Sequence, residues 1–267
     1  LGACTGGANG VYWVRIVGEA PGGVRVRNLA ETSKPPVPAR ETTIEPDLLY
    51  PLVRWSDVAR YRTRPSCHLL LAQDPATRTG IDEPAMRRGY PLTLAYLEVF
   101  RERLLQRAAY RRYQGRGPFY SMYDVGPYTL APVKVVWRRM DRRITAAVVG
   151  EVDDPRLGHR PVVPQETCVL IACSSPDEAH YLCALLNSAA ANLVVQSHSV
   201  RGGKGFGTPS MLDYLRIARF QPDEPAHAEL ADLGRTAHAL ALHGEDLAGV
   251  QQAIDRAAAV ALRLARA

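Results

Sequence analysis

The chain has 267 residues, 46% of them hydrophobic and 22% charged, with a net charge of +6. That length is about twice a typical domain, so one large domain, or one domain with an appendage, is expected. The composition is globular, and the absence of an uninterrupted apolar run near ~18 residues excludes a membrane-spanning helix.

The opening Leu1-Gly2-Ala3-Cys4 has no basic or apolar leader and no initiating methionine, so nothing points to secretion. A processed product or a fragment of a longer chain would begin this way. Val11 to Val17 is β-branched and aromatic, and Val24 to Arg27 alternates apolar with basic after Gly22-Gly23, which predicts a hairpin. Proline-rich Lys34 to Arg40 is expected to be a loop, Pro46-Asp47 to open a helical turn through Leu48, Leu49 and Leu52, and His68 to Ala72 to be a buried strand. From Pro91, the spacing of Leu97, Phe100, Leu104 and Ala108 predicts a helix of about five turns, with Arg103, Arg107 and Arg111 in one stripe.

Strands are expected at Val133 to Trp137, Ile144 to Val149 and Cys168 to Cys173, with the Arg138 to Arg143 cluster joining the first two. Ser174-Ser175-Pro176-Asp177-Glu178 is a helix start: Ser175 and Glu178 form a capping box, Pro176 fits the first position, and the acids favour the N-terminus. That helix should reach Asn187-Ser188, followed by a strand at Val194-Val195, a glycine-rich loop from Arg201 to Gly207 and, after Pro225, two helical stretches separated near Gly244. Strands and helices mix without regular alternation, so the expected class is α+β.

The positive charge is unevenly placed. Between Ala85 and Arg143, thirteen basic residues face four acids, a local excess of nine, and the same span holds seven of the twelve tyrosines. A polyanion-binding surface concentrates charge in this way, and tyrosine beside arginine suits nucleic acid. An arginine-rich solvated face and half-buried core tyrosines account for the same residues.

The motifs of common enzymes are missing. Gly202-Gly203-Lys204-Gly205-Phe206-Gly207 has the spacing of neither a Walker loop nor a dinucleotide fingerprint, so it reads as a flexible loop with Arg201 and Lys204 able to touch phosphate. Cys168, Cys173, His180 and Cys183 resemble a zinc set, but Cys168 and Cys173 lie on opposite faces of one strand, which favours core cysteines. The five cysteines are an odd number without a C-x-x-C pair, so a reducing, cytoplasmic setting is expected. Cys4 has no evident base, and no Asp or Glu stands two residues before Lys34, Lys134 or Lys204, as a carboxylate-and-lysine nuclease requires.

Four segments occur in an ordered series: Thr5-Gly6-Gly7-Ala8-Asn9-Gly10, Leu48-Leu49-Tyr50-Pro51-Leu52-Val53-Arg54-Trp55-Ser56-Asp57-Val58-Ala59-Arg60-Tyr61, Lys134-Val135-Val136-Trp137-Arg138, and Tyr181-Leu182-Cys183-Ala184-Leu185-Leu186-Asn187-Ser188. In that order they resemble the TaqI-like C-terminal specificity region of N6-adenine DNA methyltransferases of restriction-modification and phage-defence type, and more distantly type I restriction specificity subunits. The resemblance covers about residues 5 to 220. The family pattern has glycine where this chain has Trp55, whereas Asp57, Arg60 and Tyr61 match it.

The resemblance implies a mixed curled sheet with packed helices, forming a DNA target-recognition domain over 1–222, plus a C-terminal helical segment over 223–267. It further implies double-stranded DNA as partner and an N-terminal or separate catalytic domain that binds S-adenosylmethionine and flips the target adenine. No cofactor is expected in this chain, because the only Pro-Pro pair, Pro35-Pro36, follows Lys34 and precedes no aromatic residue. The expected DNA-facing residues are Arg54, Arg60, Arg138 and Arg139 for phosphate or guanine, Asp57 to orient an arginine, Tyr120, Ser121, Arg201 and Lys204 on loops, and Tyr61 and Lys134 from the motifs. An alternative is an interaction subunit whose C-terminal stripe, Leu230, Leu233, Ala237 and Leu240, docks onto a separate methyltransferase or helicase with incidental DNA contact.

Overall fold

Alternating apolar and basic residues fold Trp13–Ala20 (β1) and Gly23–Asn28 (β2) into an antiparallel hairpin, in a computed structural model that describes residues 1–198 and 207–264. Val14, Val24 and Val26 are buried, while Arg15, Arg25 and Arg27 stay exposed, with Arg15 opposite Arg27. A short helical turn, Asn9–Tyr12 (α1), takes up the start of the predicted strand. The hairpin sits in a six-stranded sheet with Glu41–Ile44 (β3), Leu49–Val53 (β4) and Cys67–Leu70 (β7). Pro46–Leu48 makes a helical turn, but Leu49 and Leu52 continue as strand, because pairing with Leu70 and Cys67 gives their backbone partners that an isolated turn lacks.

Val58–Ala59 (β5) and Arg62–Thr63 (β6) form a tight hairpin, as do Gln73–Asp74 (β8) and Thr79–Gly80 (β9). The predicted five-turn helix is instead Pro91–Glu98 (α3) and Arg101–Leu105 (α4), preceded by Glu83–Gly89 (α2). The helix breaks first at Val99 and Phe100 and again at Gln106 and Arg107, before a π-helical turn at Tyr110–Gln114, and at the second break Arg107 turns inward. Its guanidinium donates to the carbonyls of Leu104, Thr5, Phe119 and Ser121 at 2.8–2.9 Å and is 5% exposed, so no arginine stripe forms.

The second half is built on Lys134–Arg138 (β10), with Ala146–Val149 (β11) and Cys168–Ala172 (β15) on either side. Between them, Glu151–Asp154 (β12) pairs with Gly158–Pro161 (β13), and Val163–Pro164 (β14) returns to the first sheet parallel to β4, which makes that sheet mixed. The sheet order is β14-β4-β7-β1-β2-β3, and the class is α+β as expected.

Pro176–Asn187 (α5) begins where expected. Ser175 accepts the Glu178 N–H, although the Glu178 carboxylate reaches back to Ser174 and not to the cap residue. Val194 and Val195 lie in a helix, Ala189–His198 (α6), and not in a strand, and 217–220 is not a strand either. After Met211–Leu215 (α7), Pro225–His243 (α8) and Ala248–Leu264 (α9) are separated by Gly244 at φ 72°. Leu230 and Ala237 of α8 and Ile254 and Ala258 of α9 are buried in one core with α5. The α5–α8 crossing is close enough that a Cβ at Gly234 would lie 2.4 Å from the His180 carbonyl oxygen.

All five cysteines are buried thiols, and burial pushes Cys168, Cys173 and Cys183 up to about 12. Among the described residues no helix is long and apolar enough to cross a membrane, and no cluster of His, Cys, Asp and Glu is placed to hold a metal.

Candidate nucleic-acid interface

The second motif ends β4 and enters a tight 3-10 turn at Trp55–Asp57, which the Asp57 carboxylate organises. It accepts the Arg54 backbone N–H at 2.9 Å, Nε of the Arg54 guanidinium at 3.2 Å and the Ser66 hydroxyl at 3.0 Å. Arg54 also donates to Ser66 at 2.6 Å, so its fork is fixed before any ligand arrives. Trp55 is held at the backbone by the Thr167 hydroxyl, 3.3 Å from its N–H, and the indole is 49% exposed. Its φ is not positive, so this turn does not need the glycine of the family pattern.

Arg138, from the end of β10, lies over this indole with its Cζ 5.5 Å from the ring centroid. It is fixed from behind by donation to the Val58 carbonyl and to Asp141. Beside it is a hollow of about 380 Å³ lined by Asp57, Arg62, Arg64, Ser66 and Arg138. Pro65 and Ser66 separate it from a second hollow of about 280 Å³, which contains Arg15 and the His68–Asp154 pair at 2.8 Å. Among the described residues Arg64, Arg139, Arg142 and Arg143 have no carboxylate within salt-bridge distance; Arg64 lines the first hollow and leaves it with uncompensated positive charge, whereas Arg143 lines a separate hollow with Asn192 and Gln196. Gly207 is anchored to the same turn: its N–H donates to the Arg139 carbonyl, and its own carbonyl accepts from Trp137 Nε1.

Several expected contacts are framework groups instead. Tyr61 is fully buried at the tip of the β5–β6 hairpin with φ 61°, its N–H on the Ala146 carbonyl and its hydroxyl on Gln251. Arg60 donates to the Asn187 carbonyl at 2.7 Å but is only half-buried, and with Arg143 and Asp255 it lines a hollow of about 470 Å³ apart from Trp55. The Asn187 side chain closes the joint by pairing with both the N–H and the C=O of Ala146, at 3.0 and 2.9 Å. Two of the ordered motifs therefore meet at Ala146 on β11. Lys134 is fully buried, its ammonium on the Thr129 and Ala131 carbonyls and its pKa lowered to about 8 by burial. Tyr120 and Ser121 are also fully buried; their hydroxyls donate to Ile81 and Pro118.

The basic span does not form one surface. Arg101 pairs with Glu83, Arg107 is buried, and Arg138 ends β10 of the other sheet with Arg139, Arg142 and Arg143 in the connection to β11. Tyr96, Tyr110 and Tyr120 are core residues, while Tyr113 is exposed. Arg201 and Lys204 lie outside the described residues. The sequence reading missed Arg15, Arg62, Arg64 and Trp55 as members of this surface. The density of arginine from Arg54 to Arg64 against the lone Asp57 was the available signal.

No family model matches the chain. It is 27% identical over 150 residues to the type II methyltransferase M.NspV of Nostoc sp. (strain ATCC 29411 / PCC 7524), a match covering 55% of this chain and 29% of that protein. Its fold is similar to part of the type IIL restriction-modification enzyme MmeI, solved in complex with DNA, with a TM-score of 0.55 and 16% identity over 80% of this chain and 28% of that one. The chain thus has a sequence relationship to a methyltransferase and the fold of a region of a restriction-modification enzyme, and it spans under a third of either protein.

Proposed function

We propose that this chain is the DNA-reading portion, over 1–222 with helices α8 and α9 packed behind it, of an adenine-N6 DNA methyltransferase of a restriction-modification or phage-defence system. The observation that carries the reading is the arginine-lined surface around Trp55, where Asp57 and Asp141 hold Arg54 and Arg138 in place while Arg64 and Arg139 keep uncompensated charge. The relationship to M.NspV and the fold likeness to an enzyme solved with DNA support it.

Arg64, Arg139 and Arg142 hold phosphates and set the register. The pre-oriented Arg54 and Arg138 present guanidinium edges toward a groove, where a bidentate contact to guanine discriminates by about 1–3 kcal/mol. Methyl transfer from S-adenosylmethionine belongs to a catalytic domain outside these residues. Leu230 and Ala237 of the α8 stripe are buried in the core with α5 and Leu233 packs against it, so most of the stripe is used within the chain.

Fluorescence anisotropy with a pool of random-sequence duplexes tests the proposal. Log affinity should fall linearly with log salt, by about 0.9 per phosphate neutralised, and Arg64→Ala or Arg139→Ala should each reduce the slope by about one contact without altering the melting temperature. Absence of binding to any duplex at low salt would overturn it.

A further inference from the structure

Resting on that DNA-reading assignment, we propose that the Trp55 indole is a stacking platform for an unstacked nucleobase of duplex DNA. Single exposed apolar residues are ordinary on protein surfaces, so exposure alone argues nothing. Three features separate Trp55 from that background. Its backbone is immobilised by the Asp57-centred turn and by Thr167, so the ring is presented from a rigid base. Arg138, itself fixed by Val58 and Asp141, lies over the ring at 5.5 Å and backs the indole with a cation while about half of the side chain remains open. The surroundings carry charge: its chain neighbours are Arg54 and Ser56, and the adjoining hollow has Arg62, Arg64 and Arg138 against the one acid Asp57, with only small apolar groups, Val58, Ala59 and Pro65, between them. A protein-docking patch would have apolar neighbours, whereas a polyanion drawn to these arginines meets the ring on arrival.

The chemistry also determines which state of the DNA is recognised. In a regular duplex each base face is covered by its neighbours, and only edges are open in the grooves. An indole plane can meet a base plane only where a step has been opened or a nucleotide extruded, which costs least when a base is already unpaired. Trp55 should therefore favour duplexes with a local defect, a property that phosphate-holding arginines cannot produce.

The other two tryptophans are buried, Trp13 at 7% and Trp137 at 0% exposure, but Arg54 lies over the Trp13 ring at 5.6 Å, so a DNA-induced change in emission is assigned to Trp55 by its loss in Trp55→Phe. The full chain is titrated with a duplex and with the same duplex carrying one bulged nucleotide, and anisotropy and tryptophan emission are read together. The proposal expects emission to be quenched in step with binding and the bulged duplex to be preferred. Trp55→Ala should weaken binding of the bulged duplex by about fivefold or more and remove the preference while keeping the salt slope, and Trp55→Phe should retain most of it. Binding without quenching, or Trp55→Ala binding the bulged duplex like the parent, overturns the stacking role and leaves DNA reading standing. No binding to either duplex overturns DNA reading itself. Quenching by a methyltransferase catalytic domain but not by DNA would make Trp55 a protein contact and also defeats the proposal.

Discussion

Asn187→Leu separates a framework motif from a DNA-contacting one. Asn187 is buried, and its amide gives Ala146, on an edge strand of the second sheet, both a donor and an acceptor. Leucine has a similar volume but neither group. The Ala146 carbonyl would keep the Tyr61 N–H, whereas the Ala146 N–H would be buried without a partner. Two hydrogen bonds at a net of about 1 kcal/mol each, plus roughly 1–3 kcal/mol for the orphaned N–H, give a loss of about 3 kcal/mol once overlap is allowed for. For a chain of this size that lowers Tm by roughly 6–12 °C. Thermal melts followed by circular dichroism measure the shift. DNA affinity measured well below the lowered Tm should match the parent. A variant that melts with the parent yet loses DNA affinity would show that Asn187 is a contact and that the joint reasoning is wrong.

Arg107→Lys replaces a fork that reaches four carbonyls on three chain segments with a single ammonium, so about 3 kcal/mol of stability should be lost in urea unfolding; an unchanged midpoint would mean that those carbonyls find other donors. Gly234→Ala gains about 1 kcal/mol of helix propensity but forces α8 away from the His180 carbonyl at an overpacking cost of roughly 1–3 kcal/mol, so the melt should fall or stay level, and a clear rise would disprove the close crossing. Burial, aided by His238 and Arg235 and opposed by Asp177, lowers the His180 pKa to about 4, so the imidazole stays neutral in the fold where the unfolded chain, near ~6.5, takes a proton. The unfolded state then binds more protons between these values, and stability should decline as pH drops from about 6.5 to about 4 and level off below. In chemical-denaturation curves across that window, His180→Gln should flatten the slope; an unaltered slope excludes His180 as the source.

The local order of this chain was written in its sequence. Alternation made the β1–β2 hairpin, Ser175 and Pro176 started α5, Gly244 separated the last two helices, and the mixture of elements fixed the α+β class. These features depend on residues a few positions apart, where backbone geometry and capping act directly. Tertiary structure decided which polar side chains meet water. Arg107, Lys134, Tyr120 and Tyr61 look like ligands for a polyanion when read in a row, yet each ends on protein groups that packing brought from distant segments. Arg54, Arg64 and Arg138 come from separate segments and share one surface only because β4, the β5–β6 hairpin and β10 converge there. A buried carbonyl without a backbone partner demands a donor, and the identity of those carbonyls is a property of the assembled sheets, not of the residue order.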